Sequence, residues 1–375
     1  MPWKEQTTMS ERKKFIHSVI QPGSNMSQLC REFGISRKTG YKWLHRYQQG
    51  GVANLEDRSR RPHRSPKRTE PHIERVVLSV RRQHPVWGGR KIRQRMVNLG
   101  YEQVPSASTI TAILARHNQI DPEESQKRKA YQRFEMAQPN QLWQMDFKGH
   151  FPIAGQRCYP LTILDDHSRY LMGLQACKSP DTETVRECLT AVFRQYGLPD
   201  CFLTDNSGPW GPNSGQPYYT RLNVWMFRLN IQLIHSRPFH PQTLGKDERL
   251  HRTLKAEVIQ LHDFQNFSVC QNTFSAWRQT YNHIRPHEAL ELEVPAARYR
   301  PSQRLFPEKL PPIEYPSSDQ VRKVSVIGKI SFHGKRYRVG NAFCGYPVAV
   351  RETESDGVFD VFFCQQKIKT FSLLR

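Results

Sequence analysis

Residues 142–151, LWQMDFKGHF, alternate in kind: Trp143, Met145 and Phe147 fall on one side, Gln144, Asp146 and Lys148 on the other. A period of two marks a β-strand, and it begins here after a long stretch of helical patterning. Downstream, 159–166 (YPLTILDD) and 170–176 (YLMGLQA) read as two further strands joined by a tight DHSR turn. Thr182 to Tyr196 reads as a helix, CFLTD (201–205) as a short strand, Tyr218 to Leu229 as a helix and Ile231 to Ile234 as a last strand. This order predicts an α/β domain whose first strands pair as an antiparallel meander. Asp146 then sits mid-strand and Asp205 at a strand end. A lone buried aspartate is costly unless it is paired or binds a metal.

The next stretch outward is SRPFHPQTLGKDERLHRTLKAEV, 236–258. Pro238 and Pro241 predict an irregular approach, with Gly245 near the start of a helix running from about Leu244 to Leu261. Glu248, His251, Arg252 and Lys255 share one face, and Leu250, Leu254, Val258 and Leu261 form a stripe roughly opposite. A carboxylate above Arg and Lys suits a metal ion held beside a phosphate backbone. An ordinary solvated, ion-paired face fits the same spacing. Asp247 adds a second acid, but about 100° of helical rotation separates it from Glu248.

The 375 residues allow two to four domains. A net charge of +22 and a pI near 9.9 point to a polyanionic partner, most simply nucleic acid. The excess is skewed: residues 1–136 hold about 27 Lys and Arg against about 12 Asp and Glu. No apolar run approaches the roughly 18 residues that span a bilayer, and the first residues lack a signal-peptide core. The expectation is an intracellular protein with no membrane partner. Eight cysteines without a CxxC pair favour reduced thiols over disulfides or structural zinc.

Residues 1–56 predict a helix-turn-helix domain. Ser10 is expected to cap a helix to about Ile20, Ser27 to Phe33 a second, and Ser36 a third, with Gly34 at the turn. Arg37, Lys38 and Lys42 are the expected DNA contacts, with Trp43, Leu44 and Tyr47 packing; a protein-binding unit is the alternative. Residues 57–69 read as a basic linker along phosphates, with Arg60 and Arg61 as contacts. Residues 70–118 repeat the helical theme as a second helix-turn-helix-like domain or a dimerisation unit, and 119–136 is a charged connector. After 137–300 and a Pro-rich linker, 301–319, the alternation at 320–375 predicts five or six short strands in a small basic β-barrel, possible as an SH3-like fold that contacts DNA.

The segments WQMDF, LTDNSG and HPQTLGKDERLHRTLKAE resemble the three catalytic blocks of integrase-core DDE transposases, which are encoded by bacterial insertion sequences and related to retroviral integrases. YNHIRPHEALE (281–291) is similar to the segment that follows the catalytic helix in these enzymes. The resemblance covers about residues 137–300. It implies a multidomain α+β protein with an RNase H-like core and with Asp146, Asp205 and Glu248 as the catalytic, metal-holding triad. It also implies DNA contacts at Lys255 and, on the same face, Arg252. The expected cofactor is a pair of Mg²⁺ ions, with Mn²⁺ able to substitute. The expected partner is double-stranded DNA, both terminal repeats and target, bound by a homo-oligomer. Two departures stand out: Asp205 and Glu248 are farther apart than in retroviral integrases, and no N-terminal His/Cys zinc pattern is present. Asp165 and Asp166 rival Asp146 in position but look like a structural turn. His167 and His283 are read as packing or DNA-contact residues. A DNA-binding regulator with an inactive core and a ribonuclease H-type nuclease are the competing readings.

Overall fold

The computed structural model describes residues 7–58, 69–120, 135–205, 208–211, 219–235 and 245–373. They fall in two compact units, 1–68 and 69–375. Arg60, Arg61 and the approach at 236–244 lie outside the described residues, as does most of the charged connector.

The first unit is built from α1 (Thr8–Val19), α2 (Met26–Glu32) and α3 (Arg37–Gly50). Thr7, not Ser10, caps α1: its side chain accepts the Ser10 N–H, which places Ser10 inside the first turn. Asn25 caps α2, and Ser36 caps α3 as expected. Phe15, Ile16, Cys30, Trp43 and Leu55 form the core, with Leu44 and Tyr47 packed against it. Gly40 marks the closest approach of α3 to α2, since a Cβ there would come within 2.6 Å of Cys30 Sγ.

The second unit opens with α4 (Pro71–Gln83), α5 (Gly89–Asn98) and α6 (Ala107–Arg116). They close over Ile73, Val77, Val80, Trp87, Ile92, Met96, Ile110 and Ile113, and Ile284 from much later in the chain packs onto this cluster.

The α/β region follows. β1 (Leu142–Phe147) pairs antiparallel with β3 (Gln156–Asp165), and β3 pairs antiparallel with both β2 (Phe151–Ile153) and β4 (Leu171–Cys177). On the other side β1 runs parallel to β5 (Cys201–Thr204), and β5 parallel to β6 (Gln232–His235). α7 (Thr182–Tyr196) and α8 (Arg221–Arg228) cover one face through Leu189, Phe193, Leu222 and Met226. α9 (Gly245–Leu254) and α10 (Phe267–His283) cover the other through Leu250, Leu254, Phe274 and Trp277.

The polar side of β1 is covered: Gln144 is fully buried under α9, and its amide donates to Asp166 Oδ1 at 2.8 Å. One expectation changes here: the helix from 245 ends in a π-helical turn, Lys255–Ile259, so Leu261 lies in the turn beyond it and is exposed rather than part of the buried stripe.

At the C-terminal end β7 (Gln320–Lys323), β10 (Pro347–Glu352), β11 (Val358–Phe363) and β12 (Gln366–Ser372) form a four-stranded sheet. β8 (Lys329–Phe332) and β9 (Lys335–Arg338) form a separate hairpin. The expected strands are there, but their ladders make two sheets and not a closed barrel among the described residues. Val224 and Phe227 of α8 belong to this region's core, so it is fused to the α/β region rather than free of it.

Gly197 ends α7 at φ 77° and ψ −169°, where a Cβ would come within 2.8 Å of the carbonyl oxygens of Ser302 and Arg304. Backbone of this kind is open essentially to glycine alone, so Gly197→Ala should cost about 2–3 kcal/mol. The check is urea denaturation of the full chain, read as a lower midpoint at unchanged slope.

Candidate active site

Three carboxylates predicted from sequence are carried by three different elements: Asp146 by β1, Asp205 by the residue after β5, and Glu248 by the first turn of α9. Asp146 is half-buried. Burial, then the negative charge of Asp205, and then that of Glu248 push its acid up to about 7, against the pull of the Phe147 backbone N–H. Asp205 and Glu248 therefore both lie within electrostatic reach of Asp146. Asp205 accepts a hydrogen bond from the Trp210 indole, 2.6 Å to Oδ1. Glu248 is exposed.

Hard oxygen donors carrying like charge suit a divalent cation in charge and in donor type. Among the described residues no three His, Cys, Asp or Glu side chains are gathered closely enough to hold one. The fit is thus one of chemistry and electrostatics, not of a closed ligand cage.

Arg252 and Lys255 are exposed along the same helix as Glu248. Lys148, just past β1, feels Lys255: burial and that neighbouring charge both lower its pKa. In the first unit Arg37, Lys38 and Lys42 are exposed on α3, the Lys42 ammonium 4.8 Å from the Trp43 ring.

The other acids of this region are engaged differently. Asp165 accepts from Ser168 N, Ser168 Oγ and Asn140 N at 2.6–2.7 Å. Asp166 accepts from Met136 N and Gln144 and is ion-paired with Lys246. His167 Nδ1 lies 2.8 Å from the Met136 carbonyl oxygen, and the His283 ring stands edge-on to Tyr170. The 281–291 segment is structural in its contacts: Asn282 pairs with both backbone groups of Leu171, and Arg285 Nε donates to Glu257 at 2.9 Å.

Asp247 and Thr162 carried no assigned role in the sequence reading, and His251, expected as a potential cation on the Glu248 face, is found turned inward. Asp247 is fully buried beneath Glu248. Burial foremost, then the charges of Asp146 and Asp166, raise its pKa well above the usual carboxylate range, opposed by a hydrogen bond from Thr162. Its Oδ2 has no hydrogen-bond partner among the described residues. His251, one turn past Glu248, turns inward; burial and Lys148 push its pKa down to about 3, so the ring is neutral. Thr162 of β3 lies between them. One signal was available: Leu250, Leu254 and Val258 extended back by three positions fall on Asp247, which marks it as part of the buried stripe.

The chain matches the pattern of an integrase core domain over residues 136–241 and again over 229–295. The C-terminal domain of the IS481 family transposases matches 319–373, a helix-turn-helix domain 11–63 and a homeodomain-like domain 39–114. It is 26% identical over 166 residues to an uncharacterized 31.7 kDa protein of insertion element IS407 from Burkholderia multivorans, covering 43% of this chain and 57% of that protein. It is 23% identical over 400 residues to the transposase for transposon Tn552 from Staphylococcus aureus, covering 92% of this chain and 79% of the relative. Among solved structures, the catalytic core domain of HTLV-2 integrase in complex with magnesium aligns at 16% identity and a TM-score of 0.35, over 44% of this chain and 99% of that one.

Asp247 fixes the sign of a pH effect. Its folded-state pKa lies above the unfolded value, so its contribution to stability is fully present below about pH 4 and is lost as pH rises toward the folded pKa. In metal-free buffer, Asp247→Asn should be near wild type in melting temperature at pH 4 and progressively more stable toward pH 8, by about 1–3 kcal/mol. Thermal melts of both proteins across that range would show a widening gap; a constant gap would contradict the assignment.

Proposed function

The chain belongs to the DDE transposases of insertion sequences, polynucleotidyl transferases of the integrase superfamily, and from that premise we propose that it binds the ends of its own element, cleaves them to expose 3′-OH groups and joins those hydroxyls to target DNA. In this reading Asp146, Asp205 and Glu248 are the catalytic acids and hold two Mg²⁺ ions, for which Mn²⁺ can substitute. Bound there, the ions would stabilise the attacking and leaving oxygens at the scissile phosphate.

The single observation that carries the reading is the electrostatic action on Asp146 of two further acids carried by separate elements, Asp205 and Glu248. A rim of Lys148, Arg252 and Lys255 stands beside them, suited to drawing the phosphate backbone toward the carboxylates. Arg252 and Lys255 then meet phosphates next to the cut. Burial of Asp146 supports the role further, because water excluded from one side of the carboxylate strengthens its interaction with a cation.

We assign end recognition to 1–56 and 70–118, catalysis to 137–300 and sequence-independent DNA contact to 320–375. Arg37, Lys38 and Lys42 on α3 are suited to the major groove of the terminal repeats, and Arg60 and Arg61 to the backbone beside it. The working form is a homo-oligomer assembled on DNA ends, acting on nucleoid DNA in the cytoplasm of a bacterium. Among the described residues no helix is long and apolar enough to cross a membrane.

The test is a Mg²⁺-dependent joining assay on DNA ends taken from the flanks of the encoding gene. Glu248→Gln should lower cleavage and joining by at least about a thousandfold, several kcal/mol in the barrier, while end binding persists. Specific end binding by the wild type with no metal-dependent cleavage or joining would instead make it a DNA-binding protein with an inactive core.

A further inference from the structure

Asp146 and Thr162 are direct partners in the β1–β3 ladder, so their side chains share a face beneath α9. Thr162 Oγ1 lies 3.0 Å from the Asp146 carbonyl oxygen and 2.9 Å from His251 Nε2. The other imidazole nitrogen, Nδ1, is 3.8 Å from Asp146 Oδ2. The contacts trace a circuit from the backbone of Asp146 through Thr162 to His251: Nε2 is within hydrogen-bond distance of Thr162, while Nδ1 faces the Asp146 carboxylate beyond hydrogen-bond distance. Thr162 also approaches Asp247 Oδ1, at 3.4 Å.

One hydroxyl proton cannot serve every acceptor around Thr162, and its direction decides the tautomer of His251. If Thr162 donates to the Asp146 carbonyl or to Asp247 Oδ1, His251 carries its proton on Nε2 and turns a bare lone pair toward Asp146 Oδ2. If Thr162 donates to Nε2, the proton sits on Nδ1 and faces that oxygen. Only the second arrangement is attractive toward an ionised Asp146. We propose that His251 is a positioning residue for Asp146, held by Thr162 in the tautomer whose Nδ1–H faces the carboxylate, so that the β1 acid and the Glu248 helix keep a fixed relation when a cation binds.

The inference rests on the assignment of Asp146 and Glu248 as metal-holding acids. It adds a specific division of labour: Glu248 faces outward from α9, while His251, one turn on, faces inward and fixes the acid of the neighbouring strand. A partner that orients a metal-binding group commonly changes metal affinity or activity by about 10–100-fold when it is removed.

The experiment measures Mn²⁺ affinity of the full chain by titration calorimetry, with joining activity measured in parallel. Thr162→Val and His251→Leu should each weaken Mn²⁺ binding about tenfold or more, and the double variant should be no weaker than the poorer single one, because both act through one circuit. Thr162→Ser keeps the hydroxyl and His251→Asn keeps an N–H donor; each should stay within about threefold of wild type by the same reasoning. These two conservative variants, with thermal melts as a folding check, decide the matter should Thr162→Val fail to fold. Wild-type affinity in His251→Leu, or losses in the two singles that multiply in the double, would overturn the proposal. A wild type that binds Mn²⁺ in a Glu248-dependent way but joins no DNA would overturn the transposase reading, while the circuit is still judged on affinity alone.

Discussion

The structure depends on laying one helix, α9, across a sheet that carries its own carboxylate. Leu250, Leu254 and Val258 are buried against Leu164, Leu171, Leu174 and Cys158 of the sheet's two antiparallel strands. Each such side chain contributes about 1.5–3 kcal/mol when fully buried. That apolar stripe offsets the cost of seating Asp247 at its N-terminal end with one oxygen unpartnered. With the stripe fixed, rotation along the helix sets the rest: Glu248 must emerge about 100° around from Asp247, at the surface and near Asp146. The polar residues do not choose their own positions; the leucines choose for them.

The far end of the helix is secured by a different device. In the π-helical turn that follows α9, Glu257 accepts from the Trp277 indole at 3.0 Å and from Arg285 at 2.9 Å. Both partners belong to α10 or the residues just after it, and Ile284 between them packs into the core of the α4–α6 helices. Lys91 of α5 is drawn into the same neighbourhood, where burial and the charge of Arg285 push its pKa down to about 7. The second helical group is therefore coupled mechanically to the helix that carries Glu248, through one carboxylate and one guanidinium. A segment that sequence resemblance marks only as following the catalytic helix turns out to be its brace.

Much of this was legible beforehand because it follows from local pattern. The bounds of α7 follow from an apolar period and the glycine after it, and the strand at 142 from its alternation. What escaped prediction depended on partners distant in sequence. Alternation marks two unlike sides of β1, but cannot say that both are covered, and Gln144 is buried because Asp166 waits for its amide. The stripe stops short of Leu261 because the helix closes in a π turn at Ile259 and Leu261 falls in the turn beyond it. The C-terminal strands are visible as apolar pairs, whereas closure of a barrel depends on which edges meet, and β8 and β9 pair only with each other.

The most informative comparison is among acids of the same kind in nearly the same place. Asp165 and Asp166 end the strand beside β1 and are more deeply buried than Asp146. Yet Asp165 is surrounded by N–H and O–H donors, and Asp166 by an amide, a backbone N–H and an ammonium. Their oxygens are met by donors within the fold, although burial still raises the Asp165 acid above the usual carboxylate range, and burial there builds structure. Around Asp146 the neighbours that matter electrostatically are two more acids, and the imidazole closest to it is kept neutral by burial. A fold that surrounds two aspartates with donors, while setting like charge beside a third, makes that third the one whose surroundings suit a cation. The distinction lies in the donors each carboxylate receives, which no count of aspartates along the strand could supply.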